Sequence, residues 1–168
     1  MGLRKGKCYT RLTRAYTRKS KYKSKAFIKG FAPNKIVKYD LGNLKDEFNS
    51  EFSLASKQAI QIRHNALESA RIVIVRRLNE NIGPKNFHFK LRLYPHQVLR
   101  EKKILAGAGA DRLSSGMSQA FGKPMGTAAV VKKGQKVFTV YTDKKYEKAA
   151  RDALRAAFPR LPCQAEII

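Results

Sequence analysis

Acidic residues are scarce in this chain, and at first they are missing altogether. Asp40 is the first of only twelve, set against 36 lysines and arginines. Thirteen of those cations precede it. So basic a stretch cannot build a hydrophobic core of its own, and a polyanion is the partner able to order it. Long apolar runs are lacking too. Nothing approaches the roughly 20 residues of a membrane-spanning helix, and the start of the chain has no apolar centre of the signal-peptide kind. A cytoplasmic protein with no membrane partner is expected. Cysteine is confined to Cys8 and Cys163, at opposite ends of the sequence. A zinc site wants about four ligands at close spacing, and His64, His88 and His96 do not make up the number. Two reduced thiols and no bound metal are expected.

The positive charge falls into two parts. The formal net charge is +24, of which the first 39 residues carry +13 without a single acid. A hydrophobic content of 43% allows one modest core, so the natural organisation is one domain plus an arm. Residues 1–26 read as an extended basic arm. Residues 27–168 read as a compact α+β domain containing an irregular glycine-rich loop at about 100–116. In the arm, Arg4, Lys5, Lys7, Arg11, Arg14, Arg18, Lys19, Lys21, Lys23 and Lys25 can neutralise phosphates and release counterions. Tyr9, Tyr16 and Tyr22 are spaced among them and can stack on unpaired bases.

Within the domain, residues 35–41 suggest a short strand closed by Gly42-Asn43. The clearest helical period runs over 55–80, with Ile60, Leu67, Ala70, Ile74 and Leu78 on one stripe. Ser53 or Ser56 can cap its start, and Gly83-Pro84 ends it. Arg63, Arg71, Arg76 and Arg77 lie elsewhere around that cylinder, and Arg63 is a candidate phosphate contact. Residues 87–93 strictly alternate apolar and basic side chains. That pattern predicts a strand with one core face and a uniformly positive face of His88, Lys90 and Arg92. His96 and Arg100 follow Tyr94-Pro95, which stops the strand. Strands over 127–131 and 136–141 are joined by Lys132-Lys133-Gly134-Gln135, a hairpin signal. Asp143 can cap a last helix with Tyr146, Ala150, Ala153, Leu154 and Ala157 facing inward. Phe158-Pro159 ends it, and residues 163–168 suggest a closing strand.

Catalytic signatures are missing. The glycines around GAGADRLSSG lack the glycine-lysine-serine/threonine ending of a phosphate loop, and Arg112 stands where a dinucleotide fingerprint needs its third glycine. Glu101 and Asp111 sit beside Lys102 and Arg112, which suits local charge pairing. His96 has no nucleophile indicated beside it, so RNA stacking or rim packing accounts for it better than catalysis. No cofactor and no small-molecule substrate are expected.

At residues 86–135 a family pattern emerges. The segments NFHFKLRLYPH, AGADRLSSGM and AFGKPMGT, with KIVKYDLG, ALESARI and the Cys8-Tyr9 pair, closely resemble the archaeal and eukaryotic large-subunit ribosomal protein family L-ten-e, the counterpart of bacterial L-sixteen. The resemblance implies an α/β-hammerhead-like domain set in large-subunit rRNA of the 23S type, with the 5S rRNA region, tRNA acceptor arms and other ribosomal proteins nearby. It implies that the segment matching 100–113 reaches toward the peptidyl-transferase centre. Lys102, Lys103, Gly107, Gly109, Asp111, Arg112 and Lys123 would then be tRNA-proximal. Family members often carry arginine where this chain has Ser118 and Val130, which removes two potential phosphate contacts. The missing long basic tail leans toward an archaeal source. Beside the ribosomal reading stand a non-ribosomal RNA-binding assembly factor and an RNA-modifying enzyme.

Overall fold

The computed structural model describes residues 4–12, 22, 24, 34–102, 107–109, 112 and 122–168. Among the described residues, two antiparallel sheets and two α-helices make up a single mixed α+β domain. The larger sheet contains β1 (Asp40–Gly42), β2 (Ser50–Ser56), β4 (Phe87–Leu91), β7 (Lys136–Thr142) and β8 (Ala165–Ile167), in the order β1-β4-β7-β2-β8. The smaller contains β3 (Ile60–Arg63), β5 (Gln97–Glu101) and β6 (Lys123–Val131), in the order β3-β6-β5. The helices are α1 (His64–Asn81) and α2 (Glu147–Arg155).

The alternation read in 87–93 becomes β4, with Phe87, Phe89 and Leu91 buried and His88 and Lys90 on the other face. Across the sheet Phe89 faces Val140 and Leu91 faces Phe138, while Phe52 and Leu54 continue the same rows on β2. The Phe89 and Phe138 rings lie 5.7 Å apart. Burying each such ring contributes about 2–3 kcal/mol from lost water contact. From α1, Leu67, Ala70, Ile74 and Leu78 enter this core, and Ala150, Ala153 and Leu154 enter it from α2. Tyr146 packs at its margin, and Ala157 is buried just beyond α2.

The helix expected over 55–80 is half right. Its part from His64 onward is α1, but residues 55–63 are the end of β2, a turn and β3. Ser56 caps no helix. Its hydroxyl donates to the Gln58 carbonyl at 2.8 Å and fixes the turn between the two strands. Such a local side-chain bond offers the backbone an alternative to helix. Ile60 and Ile62 then pair with Val131 and Ala129, partners some seventy positions away. The other end is as expected: Gly83, at φ +86°, donates its N–H back to the Leu78 carbonyl at 3.2 Å.

Four further expectations change. Residues 35–39 are not strand; β1 begins only at Asp40. It ends where Gly42, at φ +92°, passes so close to β4 that an added Cβ would lie 2.3 Å from the Phe87 carbonyl oxygen. The turn around Gly134 does not make a hairpin, because β6 and β7 belong to different sheets. Its Gly134 N–H bonds the Ser56 carbonyl at 2.7 Å, so the turn carries the chain from one sheet to the other beside the end of β2. Asp143 makes no side-chain cap, and a 3-10 turn, Lys144–Tyr146, leads into α2. Phe158–Arg160 forms another 3-10 turn, and the closing strand narrows to β8.

His64 opens α1 and joins three segments. Its Nδ1 accepts the Lys35 backbone N–H at 3.0 Å, and its Nε2 lies 3.0 Å from where a Cβ on Gly126 would stand. Burial, and then the charges of Lys35 and Arg63, push its pKa below the ordinary 6.5. The unfolded chain therefore binds the proton first as pH falls. Stability from the neutral ring is present above 6.5 and is lost on descent toward the lower folded value. In urea unfolding at a series of pH values, the parent protein will weaken over that interval. His64→Asn, whose Oδ1 keeps the acceptor, will flatten the slope.

Candidate nucleic-acid interface

Two surfaces gather the candidate contacts. The first is the outer face of the larger sheet, where His88 pairs across to Tyr141 and Lys90 to Thr139. It is not uniformly positive, as the alternation alone suggested. Asp40, delivered by β1 opposite Lys90, accepts His88 Nε2 at 3.2 Å and lies 3.6 Å from Lys90 Nζ. Glu51 takes Lys136 Nζ at 2.7 Å, and that ammonium holds its carboxyl below the usual range. Arg92 donates to Thr139 Oγ1 at 3.2 Å and to the Tyr141 hydroxyl. The His88 ring stacks on Tyr141 at 5.4 Å. The face is a braced lattice of charges of both signs, with Arg92 at its exposed edge.

The second surface is built by the start of the chain. Residues 6–9 form a 3-10 turn, Gly6–Tyr9, lying against β3, an edge strand of the small sheet. The Thr10 carbonyl accepts the Gln61 N–H at 3.1 Å, which occupies part of that open edge. Arg63 donates to the Arg4 carbonyl at 3.1 Å, and its guanidinium lies 5.0 Å above the Tyr9 ring. Arg4 in turn lies 3.6 Å from Glu101, so that acid pairs with the beginning of the chain. Tyr9 is thus a docking residue with one ring face covered. Arg63 is the last residue of β3 rather than a helix-surface cation. Between this segment, β3, the first turns of α1 and the turn Phe158–Arg160 lies a groove of about 550 Å³.

The chain matches the family model "Ribosomal protein L16p/L10e" over residues 13–168. It is 49% identical to the large ribosomal subunit protein uL16 of Methanosphaerula palustris, over 97% of this chain and 91% of that protein. The uL16 of Methanoculleus marisnigri is 47% identical, over 89% and 88%. That of Staphylothermus marinus is 44% identical, over 100% and 94%. The chain belongs to the ribosomal protein L16p/L10e family. It is a structural ribosomal protein acting in translation in the cytoplasm, and not an enzyme.

With the family fixed, the remaining candidates can be located. Lys5, Lys7 and Arg11 are exposed at the docked start, and Tyr22 is 57% exposed. His96 is exposed after β4, its Nδ1 3.3 Å from the Tyr94 carbonyl oxygen. Arg100 and Lys123 sit on strands β5 and β6, so residues 100 and 101, expected in the irregular loop, are strand instead. Lys102 is half-buried and follows β5 directly, while Gly107 and Gly109 adopt positive φ before an exposed Arg112. Arg14, Tyr16, Arg18, Lys19, Lys21, Lys23, Lys25, Lys103, Asp111 and Ser118 lie outside the described residues.

The sequence pattern did not single out three features. Tyr94 stacks on Tyr39 at 5.8 Å and remains 64% exposed, a ready aromatic platform. The outer side of α2 carries Lys148, Arg151 and Arg155, the latter two bonded to Glu147 and Asp152 at 2.9 and 3.3 Å. Arg160 reaches the groove from a turn that carried no motif. Among the described residues no group of histidine, cysteine and acid side chains is arranged to hold a metal. Cys8 and Cys163 are both free, and burial pushes the Cys163 thiol up.

Asp40 is the acid that tempers the sheet face. Replacing it with asparagine frees Lys90 and His88 while removing only partly exposed ion pairs, which contribute about 0–1 kcal/mol. Asp40→Asn will elute from heparin at higher salt than the parent, and its midpoint of thermal unfolding will change little.

Proposed function

We propose that the chain binds large-subunit rRNA through its basic N-terminal arm and the two surfaces described above. From that anchorage it presents the segment around 100–116 toward the acceptor arms of tRNA, near the peptidyl-transferase centre and with the 5S rRNA region close by. In this reading the arm residues from Arg4 to Lys25, with Arg63, His88, Lys90, Arg92, His96 and Arg100, contact rRNA. Lys102, Lys103, Gly107, Gly109, Asp111, Arg112 and Lys123 form the tRNA-proximal part. The α/β-hammerhead-like arrangement, with arm 1–26 and domain 27–168, belongs to the same reading.

One observation carries it. The arm is fastened at its start, with Arg4 on Glu101, Thr10 on Gln61 and Arg63 on both Arg4 and Tyr9. A basic segment tied to the domain at its start as well as by its onward chain loses less freedom on meeting a phosphate backbone than one tethered at a single end. Phosphate contacts of this kind hold a protein in register without reading base sequence, as suits recognition of a folded RNA by shape. The smaller sheet supports the other half of the reading: β5 and β6 pair from Gln97 to Lys123 and hold both ends of the glycine-rich segment together. Val130, opposite Gln61 on β6, supplies no charge where relatives often do.

Two changes separate these roles. Replacing Arg14, Arg18, Lys19, Lys21, Lys23 and Lys25 with glutamine spares the docked start. It will lower the slope of log affinity for large-subunit rRNA against log salt by up to about five. An unchanged slope would show that the arm is not the electrostatic anchor. Deleting residues 103–113 will leave incorporation into large subunits intact and slow tRNA accommodation; subunits unable to assemble without the segment would contradict that division.

A further inference from the structure

The groove beside α1 has a lining that neither the fold nor the arm explains. Lys7, Arg63 and Arg160 reach it from three separate segments, and among the described residues no carboxylate lines it. Helix α1 begins there, with Asn65 and Ser69 in the wall, without a side-chain cap and without an acid in its first turn. Its free N–H groups therefore add the positive end of the helix dipole to the three cations. All of this favours an anion.

A second observation shows that an anion alone is not enough. Gln61 is 6% exposed, its Oε1 has no hydrogen-bond partner, and it lines the groove. Asn65 Oδ1, on the same wall, is likewise buried and unpaired. Buried polar atoms are normally satisfied, and these two oxygens call for donors. Inorganic phosphate at neutral pH offers chiefly acceptors. A ribonucleotide offers both: phosphate oxygens for the cations and helix, and a 2′-hydroxyl or base N–H for the amides. The volume of about 550 Å³ falls within the range of sites that hold one small molecule.

We propose that this groove receives one nucleotide of the rRNA turned out from its helix. Its phosphate lies between Lys7, Arg160 and the start of α1, and its ribose hydroxyl or base edge meets Gln61 and Asn65. The proposal rests on the rRNA-binding reading and gives it a defined contact apart from the arm.

The test uses a substitution whose effects on folding and binding have opposite signs. Asn65→Asp puts an acid in the first turn of α1, which suits the helix dipole but repels a phosphate. The full-length variant will melt no lower than the parent. It will bind large-subunit rRNA about tenfold more weakly, and one local site will lose protection while the rest of the footprint persists. Arg160→Gln, at an exposed position, will lower the salt slope by about one. Parent-like affinity, slope and footprint in both variants would overturn the groove contact and leave the rRNA reading standing. Failure of the parent to bind rRNA would overturn both. Adenosine monophosphate alone will not bind at micromolar concentration; tight binding of it would make the groove a free-nucleotide site and overturn the rRNA assignment.

Discussion

Charge balance is the constraint on which the rest of the structure depends. Among the described residues every acid except Asp46 and Glu47 lies within 4 Å of a cation. The domain has used its acids one by one to quiet individual lysines and arginines, and most of the 36 cations are left over. Self-repulsion of this size works against a compact state. The core that resists it is modest, a few phenylalanines and aliphatic side chains contributed by both sheets and the two helices. A protein so built reaches its best free energy only when an external polyanion completes the balance. Membership in a ribosomal family gives that polyanion a place to come from.

The fold distributes the leftover charge unevenly. On the outer face of the larger sheet, Asp40 and Glu51 pin His88, Lys90 and Lys136 in a lattice that is nearly neutral as a whole. At the small sheet and the docked start of the chain, Glu101 meets Arg4, but Lys7, Arg63 and Arg160 face one another around an open groove. Like charges held together without an acid raise the local potential, and the low-dielectric walls of a groove focus it. The strongest attraction for RNA should therefore lie at the smaller sheet and not at the larger, although the larger carries the more conspicuous sequence pattern.

What could be read from the sequence follows the range of the interactions involved. The strand at 87–91, the inward stripe of α2 and the glycine stop after α1 depend on neighbours a few residues apart, and local patterning reveals them. The strand at 60–63 could not be seen in this way. Ile60 fits the helical stripe, and what makes the segment a strand is pairing with 128–131, far along the chain. The missed crossing at Gly134 is similar: a tight turn with Lys132-Lys133-Gly134-Gln135 is a true local feature, but which sheet receives each strand is settled by Ser56 and β2. The same holds for the candidate interface. The arm's charge was plain from composition. That Asp40 neutralises Lys90, or that residues 7, 61 and 160 share one wall, requires the folded chain.

The bare entry of α1 ties these points together. Ser56, the residue that local rules would choose as its cap, is used to turn the chain between β2 and β3, and the helix starts instead behind Arg63. A helix of 18 residues without a cap forgoes about 1 kcal/mol that a serine or aspartate would give. In a domain already strained by its own charge, that is a considerable concession. It has a physical rationale if the empty N–H groups are met from outside, because a phosphate satisfies them and brings the negative charge the domain lacks. Weak free-standing stability and strong binding to a polyanion are then one property of this sequence, seen with and without its partner.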